Sequence, residues 1–205
     1  MQHLNEAEKQ KITNAIREIE MQTSGELVTV ISQASDDYLY IPTLWAALIA
    51  LLVPGVLSLL PWFELERYSY GIQVLVFFLL ATLFRYSCLR MMLVPARVKR
   101  ARARRHAHEL YVSYATNQSR SSSAIMLFVA VAERYVEIIA DKGINSKVES
   151  KTWEAIVNAF TGQVKQGRIA AGYLSALQAC GELLIKHFPS KTKTPDLLPN
   201  HLIEL

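Results

Sequence analysis

Residues 41–63 (IPTLWAALIALLVPGVLSLLPWF) and 71–94 (GIQVLVFFLLATLFRYSCLRMMLV) are two long apolar runs separated by seven residues. A bilayer core of ~30 Å takes about 20 helical residues, so each run is long enough to cross one. Together they predict a transmembrane hairpin, with spans at about 41–63 and 71–94, set inside a chain whose other parts read as globular. Residues 1–40 and 95–205 suffice for one domain with a core and are few for two. The N-terminus carries Glu6, Glu8 and Lys9 ahead of any apolar run. It therefore lacks the basic-then-apolar order of a signal peptide, and the hairpin is read as retained.

The formal net charge of +4 is informative only once it is located. Arg85, Arg90, Arg97, Lys99, Arg100, Arg102, Arg104 and Arg105 stand at and just beyond the end of the second run, while 106–205 carries ten basic and nine acidic residues. The short loop 64–70 holds Glu64 and Glu66 against Arg67. Positive-inside counting places that loop outside and both termini, with the globular part, in the cytoplasm of a bacterial-type inner membrane. Trp62, Tyr68 and Tyr70 suit the outer interface, and Tyr40 and Trp45 the inner one. The basic residues Arg97, Lys99, Arg100, Arg102, Arg104 and Arg105 are read as topology determinants in contact with anionic lipid headgroups. Nucleic acid is not expected, because only Tyr111 and Tyr114 lie near enough to stack bases. The two cysteines, Cys88 in the second run and Cys180 on an apolar helix stripe, form no disulfide framework and suit a reducing compartment. Pro54-Gly55 and Gly71 suggest a kink or a close helix contact within the hairpin.

Along the rest of the chain, Asn5 and Glu8 form a capping box ahead of an amphipathic helix over 6–22. Thr23-Ser24-Gly25 stops it, and 26–31 reads as a strand. A helix is predicted over 96–117, followed by a serine-rich loop to 123. Next come two strands, Ala124–Ala132 in mid-sheet and Tyr135–Ala140, joined at a Glu133-Arg134 turn pair. Ser146 and Glu149 offer a second capping box before a helix over 147–165. Gly167 interrupts, and a last helix over 169–187 ends at Phe188-Pro189. The tail 190–205 reads as a loosely docked extension. Because one helix and one strand cannot form a core alone, 1–40 is expected to pair with 95–189. The fold class is α/β, a short mixed sheet flanked by helices and interrupted by the hairpin at 41–94.

The order of these motifs resembles the TPM domain family, named for a thylakoid lumen phosphatase-like protein, a photosystem II repair protein and a nematode receptor-auxiliary protein. The likeness is carried by Thr23-Ser24-Gly25-Glu26 before a strand, by LFVAVAERYVEIIADKGI at 127–144, by the Trp153 helix, and by the last helix running into His187-Phe188-Pro189. Asp196-Leu197-Leu198-Pro199 stands where relatives of this branch carry Asn-Glu-Leu-Pro. The resemblance implies a compact α/β sheet flanked by helices. It implies no single reaction, since family members are linked to acid phosphatase activity, calcium binding and assembly of membrane complexes.

Carboxylates are the candidates for chemistry, because a hard cation or a phosphoryl group needs them convergent. If 26–31 runs parallel to 124–132, Glu26 begins at the same end as Asp141, and the pair could hold one divalent, calcium-sized cation. The competing reading makes both solvated strand ends. No nucleophile stands in a Gly-x-Ser-x-Gly setting. His106 and His108, two apart on a helix, face different directions, and His187 reads as a helix-end residue. The expectation leans away from an enzyme, toward a membrane-anchored, non-catalytic binding or auxiliary module for another membrane protein. Its hairpin is expected to associate with that protein or with itself. The alternative is a weak metal-assisted acid phosphatase using Glu26 and Asp141.

Overall fold

The computed structural model describes residues 4–59, 68–116, 123–190 and 202–205. The readings placed on Trp62, Glu64, Glu66 and Arg67, on the serine loop 117–122 and on Asp196–Pro199 lie outside the described residues, as does the Cys88 side chain. In chain order the elements are α1 (Glu6–Glu20), β1 (Glu26–Ser32), α2 (Tyr40–Ser58), α3 (Ser69–Leu83), α4 (Ser87–Leu93), α5 (Ala96–Tyr111), β2 (Ala124–Ala130), β3 (Tyr135–Ala140), α6 (Lys142–Asn145), α7 (Ser150–Lys165), α8 (Ile169–His187) and β4 (Ile203–Glu204). They fall into two compact units, Met1–Ser35 with Ala103–Leu205, and Asp36–Arg102.

The first unit is built on a four-stranded mixed sheet in the order β3-β2-β1-β4. β1 runs parallel to β2 and to β4, and β2 runs antiparallel to β3. β2 has seven apolar residues and buries all of them, as a strand covered on both faces must. On one face Leu27, Ile125, Leu127 and Val129 pack with Ile12 and Ile16 of α1, Ile156 and Phe160 of α7, and Tyr173, Leu177, Cys180 and Leu184 of α8. On the other face Val28, Val30, Met126, Phe128 and Ala130 pack with Ala103 and Ala107 of α5.

α1 opens with the predicted capping box: the Asn5 side chain accepts from Glu8 N at 2.7 Å, and Glu8 Oε2 accepts from Asn5 N at 2.8 Å. The second predicted box does not form. Ser146 is helical (φ −73°, ψ −17°), whereas a cap residue must be extended, and its hydroxyl donates instead to Gly143 O at 2.9 Å. The buried Ile144 holds Lys142–Asn145 as a separate turn, so α7 begins at Ser150 behind Glu149. The end of the tail is also more ordered than its sequence suggests. Leu205 N donates to Ile31 O and Gln33 N to Leu205 O, which makes Ile203–Glu204 an edge strand, and Lys9 of α1 pairs with Glu204 at 2.9 Å.

In the second unit, α2 is a 19-residue apolar helix that continues through Pro54. It buries Ile41, Pro42, Ala46 and Ala50 but leaves Leu51 and Leu52 66% and 67% exposed. By length and composition it can cross a membrane. The second run is not one continuous span. α3 covers 15 residues, about 22 Å of helix, and the chain turns extended at Tyr86 (ψ 126°) before α4. The break falls at Arg85, which is exposed; its charge is the first in the run and ends the stretch compatible with hydrocarbon. α2 and α3 pack on each other. A Cβ on Gly55 or Gly71 would meet nothing among the described residues, so neither glycine marks a close helix contact.

Candidate functional site

Glu26 and Asp141 stand in one row across the sheet. Glu26 opens β1 opposite Ala124, which opens β2. Asp141 continues β3 opposite Ala124, with Asp141 N donating to Ala124 O at 3.0 Å. Because side chains alternate along a strand, Glu26 shares the α5 face with Val28 and Val30. Asp141 turns to the same face, where Tyr111 at the end of α5 donates its hydroxyl to Asp141 Oδ1 at 2.5 Å. Only the Ala124 methyl lies between the two acids in the row, whose outer Cα atoms are two strand spacings, roughly 10 Å, apart. Glu26 is 8% exposed, so it is no solvated strand end.

Both Asp141 oxygens are engaged, because Oδ2 accepts from Ala124 N at 2.9 Å. The carboxylate thus takes over the ladder bond that a main-chain carbonyl makes elsewhere in the strand pair. For the same reason it makes no cap bond to α6, although it occupies the cap position. Burial first, then the bond to Asp141, pushes the Tyr111 hydroxyl above its ordinary range, so it stays a donor. Tyr111 is the site residue that sequence reasoning missed. The one local signal of it is structural: a π-helical turn, Val112–Thr116, follows it directly, and such turns recur at functional sites.

Glu133 lies at the opposite end of the β2–β3 hairpin, in the turn beside Arg134. It is buried, and its Oε1 accepts from Ser35 N at 2.8 Å. Arg134 takes a left-handed conformation (φ 52°) at the turn.

The basic residues of α5 divide. Lys99 Nζ donates to Met91 O at 3.1 Å, Arg102 pairs with Asp36 at 3.3 Å and lies over the Tyr40 ring, and Arg104 approaches Glu137 at 3.9 Å. His108 also approaches Glu137, at 3.5 Å, and Tyr135 donates to its Oε2 at 2.9 Å. His106 stacks edge-on against Phe128 instead, so the two histidines point apart. Arg97, Arg100 and Arg105 are exposed. Cys180 is buried on the α8 stripe, its thiol pushed up to about 12 by burial, which makes it a packing residue rather than a nucleophile.

Residues 89–183 match the TPM domain. Among solved structures, the NMR structure of the BA42 protein from the psychrophilic bacterium Bizionia argentinensis superposes with a TM-score of 0.58 at 22% identity, over 99% of this chain and 96% of that one. The likeness is one of fold. No curated protein matches the chain. α1, β1 and β4 lie outside the matched residues, yet β1 and β4 supply half of the strands.

Proposed function

Since residues 89–183 match the TPM domain, we propose that the protein is a membrane-anchored, non-catalytic module that binds another membrane protein and serves its assembly, repair or regulation. The observation that carries this reading is α2, whose Leu44, Leu48, Leu51, Leu52 and Val56 are exposed along an uncharged helix of spanning length. Such a surface needs lipid or a partner. In this reading α2 crosses an inner membrane and the second apolar run, 71–94, returns through it despite its break at Arg85, with the termini and the sheet in the cytoplasm. Arg97, Arg100 and Arg105 rest on anionic headgroups, each adding about 1 kcal/mol. The already engaged oxygens of Asp141 also favour a structural role for that residue over a catalytic one.

The test is purification of the intact protein in mild detergent, with co-purifying proteins identified by mass spectrometry against a control whose 41–94 segment is scrambled. A reproducible membrane partner lost in the control supports the reading; a protein that comes down alone from carbonate-resistant membranes refutes it.

A second reading is a metal-assisted phosphatase, favoured by the row that sets Glu26 and Asp141 on one face. The fit to a calcium-sized ion is incomplete. Such an ion takes about six to eight oxygens, and among the described residues no group of three or more His, Cys, Asp or Glu converges. Calcium titration of the parent, Glu26→Ala and Asp141→Ala chains, with phosphate release from p-nitrophenyl phosphate as readout, decides it.

A further inference from the structure

We propose that the outer edge of β3 is a strand-addition site for an extended segment of a partner protein, apolar at alternate residues and flanked by Lys or Arg. β3 ends the sheet. Asp141 and Ala124 form a hydrogen-bonded antiparallel pair, so in the register that follows, Tyr135, Glu137 and Ile139 also exchange main-chain bonds with β2. Val136 and Ile138 therefore aim their N–H and C=O groups outward. The next outward carbonyl, that of Ala140, is taken by Asn145 Nδ2 at 2.8 Å, which closes the free edge at that end. An open edge of this kind is a template for another strand.

The edge borders a groove of about 360 Å³ between β3 and α7, with Val136, Ile138, Trp153 and Val157 as its apolar lining and Glu154 and Asn158 beside them. A strand laid on β3 turns every second side chain to the face that Val136 and Ile138 occupy, and those side chains enter the groove. Main-chain bonds then give affinity and the groove gives selectivity. Glu154 is exposed on α7, so its carboxylate favours a cationic residue beside the apolar positions. A second copy of this chain is the poorer occupant. α7 packs on β3, so a two-fold pairing of β3 with itself would bring a second α7 to the same face of the sheet beside the first. A single extended segment brings no helix with it.

This deepens the auxiliary-module reading and rests on it for the existence of a partner. The test is to pan a random-peptide library on the full chain in detergent, then map the best synthetic peptide by hydrogen exchange. Enriched sequences with alternating apolar residues and flanking Lys or Arg, and slowed exchange at the Val136 and Ile138 amides, are expected. Ile138→Pro removes an outward N–H without touching the β2 ladder, and should weaken the peptide about tenfold, the worth of one hydrogen bond. Glu154→Lys should weaken it too and lower the preference for cationic flanks. Should Ile138→Pro fail to fold, Glu154→Lys and the exchange map of the unmodified chain decide. An unpatterned selection, protection away from β3, or unchanged affinity in the folded variants overturns the proposal. If the membrane partner still co-purifies with a folded Ile138→Pro chain, the edge is excluded while the auxiliary module stands.

Discussion

Asp141 joins the end of α5 to the start of β2, and its replacement should unfasten both in measurable steps. In Asp141→Ala, the Ala124 N–H loses its acceptor at a residue that is 1% exposed, which costs about 1–3 kcal/mol. The Tyr111 bond to a carboxylate is worth about 1.5–3 kcal/mol, near the low end here because the half-buried hydroxyl can take water instead. The total expected for Asp141→Ala is about 3 kcal/mol, or a fall in Tm of about 6–12 °C for a chain of this size. Tyr111→Phe keeps the Ala124 bond and should cost about 1.5 kcal/mol. Asp141→Asn should cost about 1 kcal/mol, since the amide oxygen can accept from Ala124 while its NH₂ donates to the Tyr111 oxygen. Far-UV circular dichroism melts of the three variants in one detergent give the order Ala, Phe, Asn. The reasoning fails if Asp141→Ala melts with the parent, or if Tyr111→Phe costs more than Asp141→Ala.

Three further outcomes are expected. In Gly181→Ala, the new methyl would stand 2.8–2.9 Å from three side-chain carbons of Ile19. The helix gains about 1 kcal/mol, but overlap against a β-branched stem costs about 1–3 kcal/mol, so the change should destabilise, and Ile19→Ala in the same chain should cancel the overlap in a double-mutant cycle. Thr29→Val should raise stability by about 1 kcal/mol, because Thr29 is 0% exposed and its hydroxyl has no partner among the described residues; a denaturant midpoint reads it. In alkali the folded state should weaken. Burial raises Cys180 to about 12 and moves Tyr111 and Tyr173 upward as well. The folded chain then keeps protons that the unfolded chain releases from about pH 9, so stability is whole below that and falls as pH rises, by about 1.4 kcal/mol per pH unit for Cys180 alone. Melts across this range should show a shallower loss in Cys180→Ala.

What the sequence made legible was whatever a short-range pattern controls. The Asn5–Glu8 box needs two residues three apart, the fully apolar 124–130 run has one stable place in mid-sheet, and α2 is an uncharged run. The same-end placement of Glu26 and Asp141 followed from assuming β1 parallel to β2. What escaped depends on partners distant in the chain. Tyr111 reaches Asp141 across 30 positions, and nothing in its neighbours announces that. Ile203–Glu204 becomes a strand only because β1 offers an edge to it. The sequence shows Glu133 only as a turn residue, because the Ser35 N–H that it accepts from, 98 positions away, is invisible locally. The second capping box failed for a local reason of another kind: buried Ile144 makes its own helical turn and carries Ser146 out of the extended conformation that a cap requires.

A parallel β1–β2 pair cannot be closed by a tight turn; it needs a crossover, and the usual crossover carries a helix against the sheet. Here α5 is that helix, with Ala103 and Ala107 at 0% exposure against Val28, Val30, Met126 and Phe128. The apolar helices α2 and α3 precede it within the same connection. Lengthening a connection costs little, about 0.6 kcal/mol per doubling, so the crossover tolerates the two inserted apolar helices. The strand that feeds it is fastened where the chain leaves the sheet: Gln33 N donates to Leu205 O, Ala132 N to Gln33 O, and Ser35 N to Glu133. Those bonds hold β1 in register whatever the inserted segment does. The polar row at Glu26 and Asp141 and the outer edge of β3 are therefore set by the sheet.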